Sequence, residues 1–499
     1  MYTYQDFLTE KNKTQETFID WIRQAINLHV SSGAYRDANI AEEYYKRHNV
    51  TIMEFQKLLY TVTGKAIPDN YSANFKLRSN FFNYFITQMN QYLLSNGVSW
   101  EEDSTADKLG DDFDRMVMTA GRYALTHSVS FGFFNLDHVE VFSFLEFAPL
   151  YDEDNGALRA GIRFWQIDPT KPLRATLYEE DGYTELIWRP GKPGEILREK
   201  RAYKLISRTV EADDEATIYD GENYPTFPII PFFGLNKQSE LEGRRENIDC
   251  YDLIRSGFAN NVDEASYIYW AIQGAGGMKD MDLAKFVERM KTIHASLVSE
   301  EGARAEPHSI EAPYASRVAL LEDLKNELYE NFMALDTKSI VGGATTATQI
   351  RASYEPLNMK TSDYEYCVID FIKGILQVAG IDDNPTFTRS IIVNTSEDIS
   401  NVLQSADYLS EDYVTRKLLT ILGDGDQADS IIEEKDAEAA AKYNEPEEEA
   451  EEVNNGQSAS SDRPDNSRDR EEAEKGIRAS RQGDRKEATQ LSEQVPQKG

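Results

Sequence analysis

The chain has 499 residues, 40% of them hydrophobic and 11% aromatic, enough apolar material for substantial cores and for about three domains of ordinary size. Its 53 Lys and Arg stand against 87 Asp and Glu, and a net charge of −34 argues against gripping nucleic acid by phosphate neutralisation, leaving solubility or a repelling wall as its uses. The only two cysteines, Cys250 and Cys367, imply no disulfide framework and point to synthesis in a reducing cytoplasm; no basic-then-apolar leader and no run approaching about eighteen apolar residues is present, so neither secretion nor membrane spanning is expected.

Residues 1–130 repeat apolar positions mostly at helical spacing, as in Phe18, Ile19, Trp21, Ile22 and Ile26, and again in Met53, Phe55, Leu58 and Leu59, which predicts a helical N-terminal region. Between about Ser128 and Phe233 the period falls toward two. Val139–Phe147, Ile162–Ile167, Ala175–Tyr178 and Glu185–Trp188 read as strands, joined by the turn signals Asn155-Gly156, Asp181-Gly182 and Pro190-Gly191. The fold class is therefore α+β, mainly helical with a β-meander at about 128–233.

A long amphipathic segment follows over 244–273. Ile248, Tyr251, Ile254, Phe258, Val262, Ala265, Tyr269 and Ile272 recur three and four apart, and thirty residues at ~1.5 Å each make a rod of ~45 Å. Asp249, Ser256, Asn260 and Asp263 lie nearly opposite that stripe and are free to meet water or a charged partner. From 274 to 316 the pattern loosens around one helix near Asp282–His294, a small α/β unit.

A second rod at 317–336 carries Val318, Leu321, Leu324, Leu328, Phe332 and Leu335 on one face, with Glu322, Asp323, Glu327 and Glu330 making up an acidic remainder. Then comes Thr337-Lys338-Ser339-Ile340-Val341-Gly342-Gly343-Ala344-Thr345-Thr346, too small and glycine-rich to bury a core, which reads as a mobile loop between helices. The third rod, 347–380, carries Ile350, Tyr354, Leu357, Tyr364, Val368, Phe371 and Ile375; Pro356 should kink it and Gly380 stop it. Residues 381–432 hold a strand at Ser390–Val393 and helices at Glu397–Leu409 and Asp412–Leu422. From 433 to 499 aromatics nearly vanish and the composition, with its acidic run at Glu445–Glu452, predicts a disordered tail.

Each motif that could suggest chemistry has a plainer reading. Gly274-Ala275-Gly276-Gly277 lacks the Gly-Lys-Ser/Thr ending of a phosphate loop and follows a helix, so it is a turn. Asp152-Glu153-Asp154-Asn155-Gly156 has its glycine one place early for a calcium loop and reads as a hairpin; Gly423-Asp424-Gly425-Asp426 fails the same test and reads as a helix cap. His29, His48, His127, His138, His294 and His308 never pair at helical i, i+4 spacing and have no nearby cysteine. No catalytic residue, metal or cofactor is expected.

Several words of the sequence, in order, resemble one family. Asn247-Ile248-Asp249-Cys250-Tyr251-Asp252, followed by Ser256 and Asn260, is similar to the stem-helix pattern of bacteriophage portal proteins of the long-tailed type. Phe227-Pro228-Ile229-Ile230-Pro231-Phe232 resembles the strand entering that helix, Tyr44-Tyr45-Lys46-Arg47-His48 an early element, and Asn74-Phe75-Lys76 with Tyr92-Leu93 the next helix, whose closing turn Leu94-Ser95-Asn96-Gly97 is longer than the family's. The resemblance implies a wing at 1–243, a stem helix at 244–273, a clip at 274–316, a second stem helix at 317–336, a tunnel loop at 337–346, a kinked wing or tunnel helix at 347–380 and a crown at 381–432.

By the same resemblance the protein would be a ring, twelve copies in the family, at one capsid vertex, a virion component made in the host cytoplasm. Double-stranded DNA passes through it non-specifically during packaging by the terminase large subunit and later ejection. Head-completion or adaptor proteins, major capsid protein and scaffolding protein are the other partners, and no membrane is involved. Ile248, Tyr251, Ile254, Phe258, Val262, Leu321, Leu324 and Leu328 would pack the stem, and residues Thr337 to Thr346 would face the channel with Lys338 as the cation placed to touch phosphate. The alternative is a helical scaffold or adaptor protein without a channel.

Overall fold

The computed structural model describes residues 2–60, 64–69, 72–102, 104–210, 216–265, 269–273, 304–308, 314–338, 347–390, 395–423, 425 and 428–443. The chain divides into two compact units, Met1–Asn401 and Val402–Gly499.

The first unit begins with seven helices: α1 Tyr4–Lys11, α2 Gln15–Val30, α3 Gly33–Tyr45, α4 Val50–Glu54, α5 Phe81–Leu94, α6 Ser104–Leu109 and α7 Phe113–His127. Each of the first three has a Thr or Ser at the N-cap whose hydroxyl accepts a hydrogen bond from a first-turn N–H, satisfying a donor that the helix cannot. The helical reading of residues 1–130 needs one correction. Met53 and Phe55 do not lead into a helix containing Leu58 and Leu59; α4 stops at Glu54, and β1 Leu58–Tyr60 pairs antiparallel with β2 Ala66–Pro68. Pairing with Ala66–Pro68 holds Leu58–Tyr60 extended, which outweighs a short helical spacing.

Two sheets follow. A three-stranded sheet has the order β12-β3-β4, from β12 Ile229–Phe233, β3 Val129–Asn135 and β4 His138–Ser143. A five-stranded antiparallel meander runs β5 Phe147–Tyr151, β6 Leu158–Trp165, β7 Leu173–Glu179, β8 Gly182–Trp188 and β9 Gly194–Arg201. All three turn signals fall at the junctions between its strands, and Gly156, Gly182 and Gly191 have positive φ there. The single strand expected over Val139–Phe147 is two strands in different sheets, broken at Phe144–Glu146, where the Glu146 carboxylate accepts a hydrogen bond from Ser143 N–H at 2.9 Å. Beyond these, β10 Lys204–Val210 pairs with β11 Ala216–Glu222.

The larger core lies between α3, α5, α7, the three-stranded sheet and the Ala347–Ala379 helix; the smaller one packs α1 and α2 on the five-stranded sheet. Gly132 on β3 lets the long helix approach, since a Cβ there would fall 2.5 Å from the Phe371 ring, and Phe371 stacks on Phe232 with centroids 4.8 Å apart. That helix runs as one element through Pro356 and ends at Gly380, with φ +72; Ile381 N–H donates to Leu376 and Gly380 N–H to Gln377 in the Schellman manner.

In the second unit, the Glu411–Leu422 helix packs on the Ala428–Tyr443 helix through Val414, Ala428 and Ile432, and Gly423 caps the first with φ +98. The boundary expected at 433 is corrected: helix continues to Tyr443, because the Ala-rich run Ala437–Ala441 keeps helix propensity after aromatics disappear. The helix expected at Glu397–Leu409 is Thr395–Ser405 with a 3₁₀ turn at Ala406–Tyr408. Residues 444–499, and the strand expected at 390–393 beyond Ser390, lie outside the described residues.

Candidate functional site

Two helices of the first unit lie side by side: α8 Arg245–Ala265 and the Tyr314–Phe332 helix. Both are shorter than their spacing implied. Tyr269 and Ile272, read as the end of the first rod, instead belong to β13 Tyr269–Gln273, antiparallel to β14 Arg304–His308; a stretch of aromatic and β-branched residues fits a strand as well as a helical stripe. The second rod ends at Phe332, not 336, because Met333 takes a left-handed φ of +51. The helix near 282–294 lies outside the described residues.

Burial along the pair is graded. Ile248, Leu324 and Leu328 are buried; Tyr251, Ile254, Phe258 and Leu321 are half-buried; Val262 is exposed. Tyr251 meets Phe81 edge to face at 5.0 Å, fastening the inner end to α5, while Phe258 and Tyr314 touch at 5.4 Å near the outer end.

The opposite face of α8 is not a solvated one. Asp252, Ser256 and Asn260 are almost wholly buried. Asp252 accepts hydrogen bonds from Ser79 N–H at 2.8 Å and from the Asn49 amide, Ser256 Oγ accepts from Leu77 N–H at 2.9 Å, and Asn260 Oδ1 accepts from Phe75 N–H at 2.7 Å. Four residues along a helix advance ~6 Å and two along an extended chain ~6.6 Å, so a polar residue at every fourth position reads every second N–H of the 75–79 segment. Burial raises the Asp252 carboxyl above its ordinary range, with the Asn49 and Ser79 bonds opposing. Asp249 is engaged too, accepting from Tyr44 Oη and from Thr51 Oγ1 at 2.6 Å.

The far end of the second helix is closed by two cations. Arg244 Nε donates to Asn331 C=O at 2.8 Å and Lys360 Nζ to Phe332 C=O at 3.0 Å, satisfying carbonyls the helix leaves orphaned. Lys360 also pairs with buried Glu240; burial lowers its pKa and the carboxylate opposes that shift. Just beyond, the Gln88 amide both donates to Leu335 C=O and accepts from Leu335 N–H, each at 3.0 Å, so the backbone is pinned to α5 immediately before residue 337. Lys325 pairs with Asp336 at 3.1 Å, and Asp336 Oδ1 accepts from Lys338 N–H. Thr337 and Lys338 are exposed; Ser339, Ile340, Val341, Gly342, Gly343, Ala344, Thr345 and Thr346 lie outside the described residues.

Of these contacts, sequence reasoning missed the 75–79 segment, Gln88 and the Lys360–Glu240 pair. A signal existed for Lys360, which stands three residues after Leu357 and four before Tyr364, inside the apolar stripe. Among the described residues no group of three or more His, Cys, Asp or Glu could hold a metal, and no helix is long and apolar enough to cross a membrane.

Residues 34–441 match the family described as phage portal protein, SPP1 Gp6-like. The chain belongs to the phage portal protein family. It is 26% identical over 228 residues to the portal protein of Clostridium phage phiCD119, covering 44% of this chain and 50% of that protein. It is 21% identical over 403 residues to the portal protein of Bacillus phage SPP1, covering 72% of this chain and 76% of that one. The match thus spans half the length of the first relative and about three quarters of the second. Among solved structures it is similar to the neck of an empty GTA particle computed with C6 symmetry, at TM-score 0.42 and 10% identity over 69% of this chain and 90% of that one. It is also similar to the virion of a native gene transfer agent particle, at TM-score 0.40 and 12% identity over 68% and 89%.

Proposed function

We propose that copies of this chain close into a ring, twelve in the family pattern, at one vertex of a phage capsid and form the channel through which double-stranded DNA is packaged and later ejected. The observation that carries the reading is the family match over residues 34–441 joined to the stem pair, whose inner end is built in and whose outer end leaves Val262, Tyr314 and Leu320 uncovered in a single copy. Cyclic closure supplies neighbours for such rods. Ile248, Tyr251, Ile254, Phe258, Val262, Leu321, Leu324 and Leu328 then pack the stem within and between copies.

In this reading the loop at 337–346 enters the channel from an anchored base, since Gln88 and Asp336 hold the chain just before it. Lys338 is exposed and placed to touch passing phosphate, while the chain's charge of −34 keeps DNA from sticking to the wall. The protein is no enzyme; ATP hydrolysis belongs to the terminase large subunit docked on the clip. Head-completion or adaptor proteins, major capsid protein and scaffolding protein bind other faces. Synthesis is in the host cytoplasm.

Mass photometry with negative-stain imaging tests the ring. Twelve to thirteen copies of 56.8 kDa give roughly 680–740 kDa with a central hole; a monomer or dimer at high concentration favours an adaptor without a channel. Deleting Gly342 to Thr345 is expected to leave rings intact and stop DNA packaging, and loss of rings in that variant would make the loop structural.

A further inference from the structure

A cleft of about 740 Å³ opens between α2 and the edge loops of the five-stranded sheet, and its charge runs against that of the chain. Arg23, Lys171, Arg189 and Lys192 line it, with Glu146 as the sole carboxylate among its lining residues. Arg189 is paired with Glu195, and Glu146 is engaged by Ser143 N–H. Arg23, Lys171 and Lys192 are exposed and have no carboxylate partner among the described residues. In a chain carrying 87 acidic side chains, three cations around one cleft with no paired carboxylate among the described residues leave a local positive potential.

The floor adds a second, independent feature. Trp188 lines the cleft, is 3% exposed, and its indole N–H has no hydrogen-bond acceptor. That N–H faces Gly194 on β9, where a Cβ would come within 2.2 Å of it and 2.6 Å of Ile19 Cγ2, so strand and α2 wall it in from that side. A buried donor without an acceptor is uncommon in native proteins. The walls are apolar and aromatic: Ile26, Phe164, Pro169, Pro190 and the half-open face of Trp165, which is 39% exposed.

We propose that this cleft docks an acidic peptide segment of another protein, its carboxylates facing Arg23, Lys171 and Lys192 and an aromatic or aliphatic residue seated against Trp165. The volume suits a few side chains, within the ~300–1,000 Å³ usual for small-ligand sites. A double helix is too wide and rigid to enter it, and a long polyphosphate is repelled by the rest of the surface. A short segment feels mainly the cations within one Debye length of ~8–10 Å.

The test uses the purified full-length chain and a fluorescein-labelled peptide of sequence Glu-Phe-Glu-Glu-Leu-Glu, read by fluorescence anisotropy. The peptide is expected to bind, and the double variant Arg23→Glu with Lys192→Glu to weaken it roughly tenfold. Lys108→Glu, an exposed reversal outside the cleft, should leave binding unchanged. All variants replace exposed side chains, so folding is retained. The proposal is overturned by absence of binding, by equal losses in the double variant and Lys108→Glu, or by displacement of the peptide with a short DNA duplex, which would make the cleft a phosphate site.

Discussion

α8 and the Tyr314–Phe332 helix have nearly the same length, 21 and 19 residues, and both carry an apolar stripe, yet their polar faces do opposite things. On α8 the polar positions are Asp252, Ser256 and Asn260, short side chains that lose little rotamer freedom and reach backbone N–H groups of the 75–79 segment. On the partner they are Glu322, Asp323, Glu327 and Glu330, all exposed. That helix is secured through Leu324, Leu328 and Phe332 and by the two cations on its terminal carbonyls. An amphipathic pattern thus names the face that packs on apolar neighbours but not whether the polar face also packs. Side-chain length and i, i+4 spacing decide that.

The largest break in this comparison is expected at the cation end. Lys360→Met takes the nearer cation from buried Glu240, leaving only Arg244 at 3.5 Å, and should cost ~3 kcal/mol in denaturant unfolding, whereas adding Glu240→Leu should restore most of it. A single variant within ~1 kcal/mol of the parent would show that the pair does not hold the junction.

Next in size is the ladder itself. Asp252→Ala orphans Ser79 N–H and leaves the Asn49 amide only its 3.4 Å bonds to Ser79, and should cost ~2–3 kcal/mol, with Ser256→Ala somewhat less. Glu322→Ala and Glu330→Ala on the partner should stay within ~0.5 kcal/mol. Equal effects on both helices would erase the distinction.

The smallest effect is a pH dependence. Because burial raises the folded-state pKa of Asp252, the folded protein holds that proton more tightly than the unfolded chain. Its contribution to stability is therefore present below the ordinary carboxyl value of 3.8 and lost as pH rises through the raised pKa. Asp252→Asn removes this loss, so its stability deficit relative to the parent should be greatest at low pH and shrink as pH rises through that window. A deficit that grows with pH would mean the carboxylate form is the stabilised one.

Much of the fold is legible in the chain because local chemistry dictates it. The meander's turns at Asn155-Gly156, Asp181-Gly182 and Pro190-Gly191 need positive φ that glycine supplies, and Gly380 ends the long helix for the same reason. Stripes of Leu and Phe mark the inner faces of the rods. Where a segment satisfies two periods at once, as at Tyr269–Gln273 or Met53–Leu59, sequence spacing could not choose, and pairing with another strand, distant β14 in the first case and neighbouring β2 in the second, chose for it. Nor does the stem's apolar stripe say where it ends: Ile248 and Val262 occupy equivalent places in the pattern and opposite extremes of burial.

Sequence by itself determined the α+β class, the apolar stripes, the acidic balance and the family words, all properties of short windows or of composition. Tertiary structure alone decided that Asp252, Ser256 and Asn260 face protein rather than water. It also decided that Lys360 finds Glu240 across 120 residues, that Gln88 fixes Leu335, and that three unpaired cations gather around one cleft. The physical reason is common to all four. A polar side chain's energy depends on which partner arrives in space to replace water, and no local window contains that partner.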